Sequence, residues 1–197
     1  MLLVAAVVVA GGCTTARVTD PARTATEQFL MSTAGELAVA QLSVEPLRGR
    51  RVYVDATYFA AAEQQFVIGE LRAHLLMNGI LLVPSRDQAE IILEARSGGV
   101  GIDRYEFLLG IPSIPIGTAM TAVGLPPSPV NTPELALVKN LRQWGFASVA
   151  IVAYWADTGE LVASSGPFIG RTRREDWWFF GGGPRAIGNV PTIQAPE

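Results

Sequence analysis

Residues 146–171 read FASVAIVAYW-ADTGE-LVASSGPFIGR, two apolar runs flanking a short polar link. Asp157 and Gly159 in that link tolerate the left-handed backbone a hairpin needs, so Phe146–Trp155 and Leu161–Arg171 are expected to pair as antiparallel strands. Working outward, Arg51–Thr57 alternates as a strand should, and Ile80–Val83 and Ala89–Arg96 add two more; in the last, Ile91, Leu93 and Ala95 oppose Glu90, Ile92, Glu94 and Arg96. Asp20 offers an N-cap carboxylate and Pro21 suits a first helical turn, which places a helix from there to about Leu42. Its apolar stripe is Phe29, Leu30, Thr33, Ala34, Leu37, Ala38 and Gln41. A second helix fits Ala61–Asn78, where Phe66, Val67, Leu71, His74, Leu75 and Met77 cluster and Asn78-Gly79 supplies the stop. The order is α-β-α-β-β, an insertion, then β-β. An α/β (α+β) domain follows, with helices packed on one face of a mixed, mostly antiparallel sheet.

The insertion, residues 107–133, is unusual. Between Glu106 and Glu134 the chain carries no charge, and its apolar residues are broken by Pro112, Pro115, Pro126, Pro127 and Pro129. Prolines at that density forbid a spanning helix and argue against long amphipathic strands of the kind a pore needs. Pro133-Glu134 then opens a helix running to about Gln143. A single domain is expected over residues 21–185, followed by a flexible tail over 186–197.

The N-terminus points to export. Met1–Ala10 reads MLLVAAVVVA, the length of a signal-peptide apolar core and far short of the ~20 residues that cross a bilayer. Gly11, Gly12 and Cys13 follow, and Cys13 is the only cysteine. Two small residues before a cysteine resemble the lipobox cut before a diacylglyceryl-cysteine. The reading is a signal over residues 1–12, lipidation of Cys13, and a polar tether over 13–20. The competing reading, a small apolar residue ending a buried strand, gains nothing beside Gly11-Gly12 and the polar Thr14-Thr15 stretch. Thr14, in place of Asp, favours an outer-membrane destination facing the periplasm.

Chemistry is sparse. With 15 Lys and Arg interspersed among 18 Asp and Glu, a net charge of −3 offers no footprint for nucleic acid. His74 is the only histidine and sits mid-helix as a packing residue, so neither a nucleophilic triad nor a metal site has its parts, and no cofactor is expected. Gly98-Gly99-Val100-Gly101 follows a strand as a phosphate loop would, yet lacks the later Gly and the Lys-Ser/Thr. What remains is surface. Asp103, Arg104 and Tyr105, with Glu106, can pair with Arg171, Arg173 or Arg174 across the sheet end, or simply be a solvated strand terminus. Trp177-Trp178-Phe179-Phe180, beside three arginines, suits a membrane-interface belt or a partner's groove; a lid packed over the core is the alternative.

Together, Gly11-Gly12-Cys13, the Thr24-Ala-Thr-Glu-Gln-Phe-Leu-Met-Ser-Thr33 helix start, Ser97-Gly-Gly-Val-Gly-Ile-Asp-Arg-Tyr105, Gly166-Pro-Phe-Ile-Gly-Arg171 and Glu175-Asp-Trp-Trp178 resemble an uncharacterised family of bacterial lipoproteins with a domain of unknown function. In architecture, the Asp157-Thr-Gly-Glu160 turn between strands is similar to that of curli-secretion channel lipoproteins and lipoprotein activators of penicillin-binding proteins. The resemblance implies a lipid-anchored envelope protein that assembles with itself or docks on an envelope partner without a reaction of its own. Two other classes stand beside it. One is a structural envelope lipoprotein without a specific ligand, and the other is an envelope hydrolase using two of Asp55, Glu94 and Asp103, with a displaced pKa.

Overall fold

The Asp157–Gly159 turn closes as its residues require. Gly159 takes φ +74°, the Trp155 amide donates to the Glu160 carbonyl at 2.9 Å, and the Asp157 carboxylate accepts from the Thr158 amide at 2.8 Å. From this turn a six-stranded sheet extends in the computed structural model, which describes residues 23–61, 63–113 and 132–190. The elements in chain order are helix α1 (Ala25–Val39), β1 (Arg51–Asp55), α2 (Gln64–Met77), β2 (Leu81–Leu82), β3 (Ile91–Ile111), β4 (Leu135–Trp155), β5 (Leu161–Phe179) and β6 (Gly182–Gly188). The sheet order is β2-β1-β3-β4-β5-β6, with β1 parallel to β2 and β3 and every later pairing antiparallel. The α+β class, the mixed and mostly antiparallel sheet, and the helices on one face follow the expectation.

The lengths do not. Strands usually run about 5–6 residues, whereas β3 and β4 have 21 each and β5 has 19. At about 3.4 Å per residue, β3 and β4 are each about 70 Å long. The expected helix from Pro133 to Gln143 is strand: Leu135–Gln143 pairs with β3 on one side, and from Val138 onward with β5 on the other. Leu, Lys, Arg and Gln favour helix in isolation, and two ladders of hydrogen bonds from distant segments override that preference. Gly98–Gly101 is not a phosphate loop; β3 continues through it with a bulge between Ser97 and Gly99. Of the expected insertion, Phe107–Ile111 belongs to β3, and residues 114–131 lie outside the described residues. Ala186–Gly188, the first residues of the expected tail, end β6. Residues 1–22, with Cys13, Asp20 and Pro21, and residues 191–197 also lie outside the described residues.

Helix α1 starts at Thr24 rather than at Asp20. The Thr24 hydroxyl accepts from the Glu27 amide at 3.3 Å while the Glu27 carboxylate accepts from the Thr24 amide at 2.9 Å, a reciprocal capping box. Its buried face is Leu30, Met31, Ala34, Gly35, Ala38 and Val39, rotated from the expected stripe so that Phe29 and Leu37 stay partly exposed. The rotation puts small residues where the contacts are tightest. A Cβ added at Gly170 would lie 1.8 Å from the Ala34 carbonyl oxygen, one at Gly145 would lie 2.5 Å from the Leu30 oxygen, and one at Gly35 would lie 2.6 Å from a Val67 methyl of α2. Helix backbone therefore rests directly on sheet backbone. The Thr172 hydroxyl adds a buried hydrogen bond to the Leu30 carbonyl at 2.7 Å. Around this seat, Val67, Leu71 and Leu75 of α2 and Val52, Leu93, Val149 and Ile151 of the sheet form one core. His74 belongs to that packing, its Nε2 lying 3.2 Å from the Leu42 carbonyl oxygen.

Gly170→Ala is expected to destabilise the fold by about 3 kcal/mol or more, since it overpacks against backbone that has no rotamer to change. Gly69→Ala, in α2 with open space around the new methyl, should stabilise it by about 0.5–1 kcal/mol. Urea unfolding of the two variants checks both.

Candidate interaction surface

Register sorts the distal residues into two faces, because directly paired residues point the same way and neighbours alternate. On the helix-bearing face, Arg104, Gln143 and Arg174 form one row across β3, β4 and β5, and Glu106, Leu141 and Asp176 form the next. On the open face, Asp103 sits with Trp144 and Arg173, Tyr105 with Arg142 and Glu175, and Phe107 with Asn140 and Trp177. No described helix packs on that face.

The expected pairing of Asp103–Glu106 with Arg171, Arg173 and Arg174 does not form, because β4 runs between the two segments. Several of these groups instead find a nearer partner. Arg104 pairs with Glu27, the same carboxylate that caps α1. Lys139 bridges Glu106 at 2.9 Å and Glu134 at 3.0 Å, and these two carboxylates raise the pKa of its ammonium against the opposing effect of burial. Arg174 grips Asp176 through Nε at 3.0 Å, leaving its Nη1 buried without a hydrogen-bond partner. On the open face, Glu175 lies between Arg173 at 2.5 Å and Arg142 at 3.3 Å. Burial disfavours its charge, and the two guanidiniums outweigh burial to hold the carboxyl below its ordinary value. Asp103, Arg171 and Arg185 make no ion pair among the described residues.

The aromatic run is neither a lid nor a single patch. Being consecutive in β5, Trp177 and Trp178 point to opposite faces. Trp177 stacks on Phe179 with ring centroids 5.9 Å apart on the open face, and Arg173 lies over Trp144 at 5.1 Å on the same side. Trp178 lies under Lys139 at 6.0 Å on the helix-bearing side. There it borders a cleft of about 450 Å³ with Glu106, Glu134 and Leu141, and a second cleft of about 330 Å³ lies between Arg104 and the start of α1 at Arg23 and Glu27.

The carboxylates considered for hydrolysis divide. Asp55 and Glu94 are register partners on the open face; Arg86 reaches Asp55 at 3.3 Å and donates to the Tyr154 hydroxyl at 3.1 Å, which in turn donates to Glu94 at 2.8 Å. The Thr57 side chain and amide lower the Asp55 pKa, against burial, and the Glu94 hydrogen bond raises that of Tyr154. Asp103 stands nine residues further along β3, about 30 Å away. No group of three or more metal-ligating side chains occurs among the described residues.

The model of a family of unknown function, DUF6655, matches residues 7–192. The chain belongs to the DUF6655 family. Among curated proteins, none matches it. The DUF6655 match spans both the core and the distal strands of the sheet. No described helix of this DUF6655 chain is long and apolar enough to cross a membrane.

Because the Glu175 pKa is depressed, its contribution to stability is full above the unfolded carboxylate range and is lost as pH falls through the lower, folded value. Glu175→Gln should cost about 1–3 kcal/mol at pH 7 and flatten the acid limb of the stability profile; urea midpoints between pH 7 and pH 3 check this.

Proposed function

We propose that this protein is a lipid-anchored cell-envelope protein, held through Cys13 at the outer membrane facing the periplasm, that acts as a non-catalytic assembly module for copies of itself. One observation carries the reading: the blade has two open edges. Among the described residues β1 covers β3 only over Ile91–Glu94, leaving the β3 backbone edge from about Ser97 to Ile111 without a strand partner, and β6 presents its own outer edge over Gly182–Gly188. Open edges of this length are pairing templates unless something covers them. The blade has four strands, so its two edges run in opposite directions. A second copy's β3 laid against β6 therefore continues the antiparallel alternation and keeps all blade tips on one side, a head-to-tail arrangement that forms a ring where the rotation between copies closes.

Charge supports that pairing. Asp103 on the β3 edge and Arg185 on the β6 edge are exposed, lack ion-pair partners among the described residues and share the open face. Arg185 lies level with Phe107, so a stagger of four residues, the kind of offset a closing sheet requires, sets Asp103 of one copy beside Arg185 of the next.

Lipidation is tested by intact mass and membrane partition of wild type beside Cys13→Ser. Wild type is expected to gain acyl mass and float with membranes while the variant does not; identical behaviour of the two overturns the anchor. Assembly is tested by combining Asp103→Cys with Arg185→Cys. Within one copy the two positions are three strand spacings across and four residues along, about 20 Å apart, beyond disulfide reach. Oxidation should thus yield a ladder of linked copies; a monomer by light scattering with no ladder contradicts the reading.

A further inference from the structure

We propose that the tip of the blade is a second membrane-contacting surface, entering the same lipid bilayer that holds the acyl chains on Cys13; this rests on the lipid-anchor reading above. Apart from Glu106, Glu134, Lys139 and Arg185, every described side chain from the level of Glu106 to the end of β3, β4 and the β5–β6 turn is uncharged, with Leu109, Ile111, Leu135, Leu137 and Phe179 each about half exposed or more and Phe180 82% exposed. They occupy both faces. Phe107, Leu109 and Phe179 lie on the open side, and Leu108, Leu137 and Trp178 on the other. A partner protein's groove covers one face of a strand pair, whereas an apolar liquid surrounds both, so two-sided apolarity fits lipid. Lys139 is bridged by Glu106 and Glu134, Arg185 at the level of Trp177 offsets the remaining negative charge, and Trp177 and Trp178 sit at the same level, as aromatic residues do at a bilayer interface.

The route of the chain agrees. Helix α1 lies on the sheet with its start toward the tip: Glu27 meets Arg104, whereas Ala34 and Ala38 lie over Gly170, nearer the base. Ten residues separate Cys13 from Arg23, a reach of at most about 35 Å. From Arg104 to Ile111 along β3 is seven residues, about 24 Å. The lipid on Cys13 and the blade tip can therefore meet one bilayer surface together.

The test uses the full acylated protein carrying Phe180→Cys, in which acylation of Cys13 leaves one reactive thiol. An environment-sensitive fluorophore on that thiol is read in phosphatidylethanolamine–phosphatidylglycerol vesicles, with Met77→Cys, an exposed position at the end of α2, as the reference. Brominated acyl chains should quench the label at position 180 at least threefold more than at 77, and adding Leu109→Asp with Phe179→Asp should abolish the difference. Equal quenching at 180 and 77 overturns the tip contact while leaving the anchor standing. Labelling at two sites per chain instead reports a free Cys13 thiol and overturns the anchor reading.

Discussion

Helix backbone resting on sheet backbone is the constraint from which the rest of this structure follows. Gly145 and Gly170 remove the side chains that would hold α1 away, and the Leu30 and Ala34 carbonyls occupy the space that two Cβ atoms would fill. Such proximity brings the Thr172 hydroxyl to the Leu30 carbonyl and lets Gly35 admit Val67, so α2 docks on α1 and the sheet at once. One row of small residues thereby sets how deep, and where along the strands, the helical layer sits.

Because the seat lies about midway along β4 and β5, the helices cover only the basal half of the blade. The distal half must satisfy itself. It does so with paired charges, Arg104 with Glu27, Lys139 with Glu106 and Glu134, and Arg142 and Arg173 with Glu175, and with aromatic stacking rather than with a hydrophobic core. Past those pairs the side chains turn mostly apolar on both faces, and the β3 and β6 edges have no partner strand among the described residues. A sheet so composed has its chemistry at the rims and the tip, which is why assembly and membrane contact, rather than a pocket, form the functional account.

The hairpin at Asp157–Gly159, the strands at Arg51 and Ile91 and the helix over Gln64–Met77 were legible because each is local: a turn dipeptide, a short alternation, a 3.6-residue stripe. The T-x-x-E signature at Thr24–Glu27 was equally local and marks the start of α1 better than Asp20-Pro21 does. Leu135–Gln143 reads as helix for the same local reason, and what makes it strand lies tens of residues away, in the β3 and β5 segments that pair with it. Of the surface residues, Asp103, Arg104, Tyr105, Arg171, Arg173, Arg174, Trp177 and Trp178 do all lie on the blade, but their division between two faces depends on register, which no single segment encodes. The partners Glu27, Lys139, Arg142 and Glu175 went unread for that reason, as did the role of Gly145 and Gly170, which look like any other glycines until a helix is laid across them.

The central claim is that the distal blade is complete only when its edges and tip are covered. Amide hydrogen exchange of the acylated protein, compared between membrane-bound assemblies and dilute detergent-dispersed monomer, tests it most directly. The account predicts that backbone amides of Ser97–Ile111 and Gly182–Gly188 exchange at least tenfold more slowly in the assembled state, with Val149–Ala153 protected equally in both. Equal exchange of both edge segments in the two states would contradict it.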